Sequence, residues 1–268
     1  MKLKIFDSSN NSIGEVSLPS QFNEDIRPDI IHRAVLAIQS HKRQPYGAAP
    51  MAGKRSSAKL SRRRKKYRGS YGIGISRVPR KIMTRRGTRL NWVGAFMPGT
   101  VGGRRAHPPK IEKIWYQKIN DKERVKAIRS AISATVSKET VTARGHNVPK
   151  DFPFAIDNSF EALNKTKSVF EALTKLGLEE ELERTSEKKI RAGRGKSRGR
   201  KYKKKKGLLI VVANKEKLSK ALAGIPGLDI VDVKSLNVEL LAPGGNPGRL
   251  TLWTNDAIAL MEKENLFK

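Results

Sequence analysis

Gly207-Leu208-Leu209-Ile210-Val211-Val212 is an unbroken apolar run with no polar residue in alternation. A strand with one wet face alternates apolar and polar side chains. A strand covered on both faces has no such need, and such strands belong mostly to parallel sheets. On its C-terminal side, Asn214 is placed to cap a helix reaching about Leu222, residues 228–241 hold one or two strands, and residues 250–253 another. Thr254 then caps a last helix to about Lys263. On its N-terminal side, residues 151–156 make a short strand weakened by Pro153. Phe160, Leu163, Phe170, Leu173 and Leu176 mark one helix that stops near Gly177, and residues 179–183 read as a solvated acidic helix end. Strands alternating with helices beyond residue 150 predict an α/β fold, a mainly parallel, doubly wound sheet with flanking helices.

The first part of the chain fits such a sheet. Lys2–Phe6 and residues 13–18 alternate around the turn cluster Ser9-Asn10-Asn11-Ser12, the pattern of a hairpin. Pro28 opens a helix whose Ile30, Ile31, Ala34, Val35 and Ile38 recur at 3.6-residue spacing until Gln44-Pro45 ends it. Residues 111–119 are a strand or a loop. Asn120 with Glu123 has the spacing of a capping box, ahead of a helix with Val125, Ile128, Ile132 and Val136 on one face.

The 268 residues carry 56 Lys and Arg against 25 Asp and Glu, a formal charge of +31. From 42 to 111 there are 20 Lys or Arg and no acid, and from 188 to 206 another 12 and no acid. Subtraction leaves 56 − 32 = 24 basic residues for all 25 acidic ones, so the whole excess lies in two inserts. A merely solvated surface interleaves both signs, because like charges repel unless a partner supplies the counter-charge. The expected organisation is a single α/β globular domain over residues 1–268. It is interrupted by an extended, RNA-penetrating loop at 42–111 and a basic RNA-binding segment at 188–206. The first insert has ten Gly, six Pro and no sustained periodicity, so it reads as a long irregular basic extension.

The phosphate-contacting candidates in the first insert are Lys54, Arg55, Arg62, Arg63, Arg64, Lys65, Lys66, Arg68, Arg77, Arg80, Lys81, Arg85, Arg86, Arg89, Arg104 and Arg105. In the second they are Lys188, Lys189, Arg191, Arg194, Lys196, Arg198, Arg200 and Lys201, with glycines that let the backbone press against phosphates. Tyr67, Tyr71, Trp92 and Phe96 interleave with the first set. They either stack on splayed RNA bases or, with Val93 and Met97, form a small apolar knot.

Other chemistries fail on their own requirements. There is no cysteine, and His32, His41, His107 and His146 are scattered without ligand spacing, so no metal is expected. Gly195-Lys196-Ser197 resembles the end of a P-loop, but Ile190 stands where its first glycine must be, and the strand follows instead of preceding. Gly72-Ile73-Gly74 starts a dinucleotide fingerprint that Arg77 breaks. No Ser/His/acid constellation is present, so no catalytic residue, cofactor or small-molecule substrate is expected. No stretch approaches the roughly 18 apolar residues of a membrane span, and the chain reads as soluble and intracellular.

Residues 69–83 (GSYGIGISRVPRKIM), 101–113 (VGGRRAHPPKIEK), 188–206 with the following GLLIVVA, and 240–252 (LLAPGGNPGRLTL) resemble the archaeal and eukaryotic branch of the universal large-subunit ribosomal protein four family. The likeness runs through essentially the whole chain. Ending soon after Lys263, the chain resembles the archaeal type. The resemblance implies a Rossmann-like domain in the cytoplasmic large ribosomal subunit, bound to large-subunit rRNA beside neighbouring ribosomal proteins. It also implies a structural, non-enzymatic role in assembly and a loop that helps line the nascent-peptide exit tunnel. By position, Arg77, Arg80, Arg85, Arg86 and Arg89 are the candidates for its tip, facing the nascent polypeptide. The alternative readings are an RNA-modifying enzyme with basic extensions, which needs a Gly-rich turn where Ala213-Asn214-Lys215 stands, and a DNA compactor.

Overall fold

The computed structural model describes the backbone of residues 1–268 and every side chain except that of Lys217. The chain begins with β1 (Lys2–Phe6), β2 (Ser12–Ser17) and α1 (Pro28–His41), followed by β3 (Arg80–Arg86) and β4 (Arg89–Gly94). Next come α2 (Asp121–Val136), α3 (Lys138–Ala143), β5 (Phe154–Ile156), α4 (Thr166–Lys175) and α5 (Glu179–Ser186). The last part holds β6 (Lys188–Ile190), β7 (Tyr202–Lys204), β8 (Leu209–Val212), α6 (Glu216–Leu222), β9 (Asp229–Asp232), α7 (Val238–Leu241), β10 (Thr251–Thr254) and α8 (Asn255–Lys263). Two compact units result, one of Met1–Lys42 with Tyr116–Lys268 and one of Arg43–Trp115.

In the first unit, a six-stranded sheet has the order β2-β1-β5-β10-β8-β9. Only β2 runs antiparallel, as the edge partner of β1; the other four pairings are parallel. All of β8 is buried, and its side chains divide by pleat. Leu209 and Val211 join a cluster with Ile31, Val35, Ile128 and Ile258 from α1, α2 and α8, while Ile210 and Val212 join one with Leu173, Leu182 and Leu218 from α4, α5 and α6. This is why the run needs no polar alternation: water reaches neither face. Each such side chain, fully buried, contributes about 1.5–3 kcal/mol. Trp253 on β10 meets Phe22 edge-on at 5.1 Å, and its indole N–H reaches Thr135 Oγ1 at 3.4 Å.

Several local expectations change. α2 starts after Asn120, but the Asn120 side chain makes no capping bond, and Glu123 accepts from Arg33 at 3.1 Å instead of reaching back to Asn120. Asn214 Oδ1 accepts from Glu216 N at 3.0 Å, one residue ahead of the Lys215 cap position. The single helix expected over 160–176 is two elements: a 3-10 turn at Asn158–Ala162, an extended Leu163, then α4. Residues 228–241 contain one strand, β9, within the one or two expected, and a 3-10 turn and α7 take the place of a second. Residues 111–119 are a loop, one of the two expected alternatives. The acidic run is not simply solvated, since Glu181 is 1 % exposed.

The second unit is not irregular throughout. β3 and β4 form an antiparallel hairpin that turns at Gly87-Thr88, with a register shift between Ile82 and Thr84. Among the described residues, Ala95 is the one buried apolar side chain of Arg43–Trp115.

Candidate nucleic-acid interface

The hairpin in Arg43–Trp115 sets basic residues against one another. Arg86 lies directly opposite Arg89, and like charges in that position destabilise a strand pair. Arg77, Arg85, Arg86 and Arg89 are exposed, and Arg80 is half-buried. Aromatic rings hold several of these arginines in place. The Arg77 guanidinium lies 4.7 Å from the Tyr71 ring centre, Arg80 5.5 Å from Trp92, and Arg68 and Arg85 each 5.5 Å from Tyr67. Trp92, Phe96 and Met97 are half-buried and Val93 is exposed, so the knot is only partly closed.

Arg63, Lys65, Lys66 and Arg68 line a cavity of about 330 Å3 together with Tyr67, Tyr71 and Trp92. Lys54, Arg104 and Arg105 line another, of about 500 Å3, against Pro50, Pro108 and Pro109. Lys81 sits near the open end of the hairpin opposite Val93, while Arg55, Arg62 and Arg64 are exposed. Among the described residues, no Lys or Arg of Arg43–Trp115 forms an ion pair; all the ion pairs lie in the other unit.

Residues 188–206 form a second hairpin that also sets like charges opposite one another, with Lys205 at its base paired to Glu187 at 2.9 Å. β6 and β7 place Lys188 opposite Lys204 and Lys189 opposite Lys203. Arg191 closes the ladder through its N–H to Lys201 O at 2.8 Å and its Nε to Arg200 O at 3.1 Å. Arg194, Lys196, Arg198, Arg200 and Lys201 are exposed around the turn.

At the root of this hairpin the chain supplies its own counter-charges. Arg249, 1 % exposed, donates to the carbonyls of Gly207 (2.7 Å), Leu240 (2.9 Å) and Leu208 (3.4 Å) and to Asp229 Oδ2 (2.5 Å). Lys206 reaches the same carboxylate at 2.9 Å. Burial raises the Asp229 carboxyl, but the Arg249 charge and the Lys206 bond outweigh it, so its pKa lies below the usual carboxylate value. Glu181 accepts from Arg184 Nε and Nη2 (2.7 Å each), His146 Nδ1 (2.7 Å) and Asn147 N (3.2 Å). Burial acts upward on Glu181 too, and the Arg184 and His146 bonds again leave its pKa lowered. Arg184 also donates to Lys206 O at 3.0 Å. Arg144 nearby is pulled down to about 10 by burial and by the Arg249 and Arg184 charges. Gly207 must be glycine here, because a Cβ would stand 2.4 Å from Thr185 Cγ2.

Arg249 lies inside the quoted 240–252 stretch, yet no count of exposed charge singles it out; its signal is an arginine abutting a buried strand. Lys203 and Lys204, absent from the candidates, belong to the same surface as Lys188 and Lys189.

The carboxyl ends of the parallel strands hold something different. In doubly wound sheets, ligands bind there where the flanking helices switch faces. β5 leads into α4 and α5 on one face and β10 into α8 on the other, so the switch lies between them. Glu161 fills that crevice. Its carboxylate accepts from Thr254 Oγ1 (2.6 Å), Ala213 N (3.0 Å) and Asn214 N (3.4 Å), the amides that a phosphate would otherwise take. The remaining hollow, about 250 Å3, is lined by Asn158, Glu161, Ala162, Asn214 and Glu216 and repels anions. Among the described residues, no group of three or more His, Asp or Glu side chains is placed to hold a metal ion, and no helix is long and apolar enough to cross a membrane.

Fold and surface define a doubly wound α/β protein that carries its uncompensated positive charge on two inserts instead of around a sheet-end ligand crevice. A match to the Ribosomal protein L4/L1 family spans residues 16–264, and the chain belongs to that family. It is 53 % identical to the protein named Large ribosomal subunit protein uL4 of Nanoarchaeum equitans over 268 residues, all of both chains. It is 46 % identical to the protein of that name from Archaeoglobus fulgidus (96 % of this chain, 97 % of the other) and 42 % identical to that from Methanocaldococcus jannaschii (98 % and 99 %). These relatives are named as components of a ribosomal subunit, not as enzymes.

Proposed function

We propose that this protein is a structural constituent of the cytoplasmic large ribosomal subunit. It binds large-subunit rRNA through both basic hairpins, contacts neighbouring ribosomal proteins and supports assembly. The observation that carries this reading is the pairing of like charges, Arg86 opposite Arg89 and Lys188 opposite Lys204, none of which forms an ion pair among the described residues. Such pairs are relieved when phosphates lie between them. The Arg43–Trp115 unit is the penetrating extension, and Arg77, Arg80, Arg85, Arg86 and Arg89 face the exit tunnel and the nascent polypeptide. Family membership supports the subunit assignment; the two inserts support the mode of binding.

The test is binding of purified protein to large-subunit rRNA and to duplex DNA across salt concentrations. Neutralisation of roughly ten phosphates predicts an affinity loss on the order of 10³–10⁵ between about 50 and 200 mM salt. Preference for the rRNA, with cosedimentation on large subunits, is the expected result. Equal affinity for both polymers would overturn the reading in favour of a general nucleic-acid compactor.

A further inference from the structure

Tyr46 and Trp115 stand at opposite ends of the Arg43–Trp115 unit in sequence and side by side in space. Their rings stack at 5.9 Å between centres and 15° between planes. The Arg43 guanidinium lies 3.6 Å from the Trp115 ring centre and the Lys113 ammonium 4.3 Å from it, so cations occupy the indole while Tyr46 remains 55 % exposed. The Trp115 Nε1 donor is buried without an acceptor. The two chain legs are pinned together beside this pair. Ala48 N donates to Pro109 O at 3.1 Å, and a Cβ on Gly47 would lie 2.6 Å from the Ile111 side chain and 2.8 Å from its backbone nitrogen.

A cavity of about 600 Å3 opens here, lined by Tyr46, Trp115 and the Pro108-Pro109 pair on its apolar side and by Arg105 and Lys113 on its cationic side. The lining also contains Glu112, a carboxylate in a strongly basic unit that forms no ion pair among the described residues. The volume suits one small ligand. Flat aromatic walls, cations for a phosphate and one free carboxylate match a single nucleotide with its base unstacked.

We propose that this cavity receives one unpaired guanine of the bound RNA. The base stacks on Tyr46, its flanking phosphates meet Arg105 and Lys113, and Glu112 accepts from its ring and exocyclic N–H groups. Guanine alone among the four bases offers two adjacent donors to one carboxylate; adenine and cytosine offer a single amino group there, and uracil one ring N–H. The site rests on the RNA-binding reading above and adds to it a base-specific contact.

The full-length protein is tested against the pentanucleotides UUGUU, UUAUU and UUUUU and against inorganic polyphosphate at fixed salt. UUGUU should bind about tenfold more tightly than UUUUU, as expected of one good two-bond contact to a base edge. Tyr46→Leu should erase that difference and Tyr46→Phe preserve it. Glu112→Gln should bring UUGUU down to UUAUU, and polyphosphate affinity should not change in the two Tyr46 variants. No guanine preference in the wild type, or a preference that survives Tyr46→Leu, overturns the proposal. If that happens while salt-sensitive preference for large-subunit rRNA persists, only the pocket assignment falls. If rRNA itself binds no better than polyphosphate, the RNA reading falls with it.

Discussion

At the root of the 188–206 hairpin, Arg184, Lys206 and Arg249 each meet a carboxylate; across Arg43–Trp115 no cation does, among the described residues. The same contrast holds for apolar burial. The unit that contains the sheet has two hydrophobic clusters, whereas the other has Ala95. A buried charge without a partner costs several kcal/mol, so charges needed for folding have their partners in the chain. Charges left bare in acid-free segments do little for folding and await an external anion. Charge pairing thus separates the residues that make this fold from those that use it, and substitutions at the two kinds of site should behave oppositely.

The largest effect is expected at Arg249. Arg249→Met removes four donated bonds, leaving Asp229 with Lys206 as its remaining cation and the carbonyls of Gly207, Leu208 and Leu240 without their buried guanidinium. Breaking one side of such a buried pair costs about 3–5 kcal/mol. Urea denaturation should show this loss, together with accelerated amide exchange at Gly207 and Leu208. Undiminished stability would mean that the root is held by packing alone and would dissolve the contrast.

Glu181→Gln should cost less, about 1–3 kcal/mol, because the amide oxygen still accepts from two of the four donors while the charge and the other two bonds are lost. Its pH dependence is more telling. The folded carboxyl has a lowered pKa, so its contribution is fully present above the unfolded value of about 4.3 and is lost as pH falls through the folded one. The wild type should therefore lose more stability on acidification below about pH 4.3 than Glu181→Gln, measured by thermal melts over a pH series.

How much of this could be read in advance varied with how local each cause is. The 207–212 run announced a strand with both faces covered, because burial on two sides leaves its mark within six residues. Counting acids located both basic inserts for the same reason. The β3–β4 hairpin escaped because its shift between Ile82 and Thr84 breaks the alternation that marks a strand. Asn120 and Glu123 have the spacing of a capping box, yet Arg33, ninety residues away, takes the glutamate. Glu181 looked like one more exposed acid until His146 and Arg184 closed on it. Tyr46 and Trp115 could not be paired from sequence, since only the approach of the two legs at Gly47 and Ile111 brings them together.

A smaller effect is expected at Glu161, which belongs to neither insert and tests whether the sheet-end crevice is closed by its own carboxylate. Glu161→Ala frees the amides of Ala213 and Asn214 and the Thr254 hydroxyl. Water reaches the crevice, so the cost should be about 1–2 kcal/mol. Inorganic phosphate should then stabilise the variant and leave the wild type unchanged, read as a shift in Tm. A wild type that already responds to phosphate would show that the carboxylate does not block the site.

The smallest change in stability is expected at the hairpin turn, and there its smallness is the point. Arg86 faces Arg89 across the strands without a counter-charge, so Arg86→Gln removes a repulsion and no favourable bond. Stability of the free protein should stay within about 0.5 kcal/mol of the wild type, as for surface substitutions generally. Affinity for rRNA should fall, and the slope of log affinity against log salt should lessen by about 0.7–0.9 if Arg86 meets one phosphate. Substituting Arg89 as well should lessen it again by a similar amount. Should Arg86→Gln instead weaken folding while leaving the salt slope untouched, the turn would be a folding element like the Arg249 root, and the division between paired and bare charge would not track function.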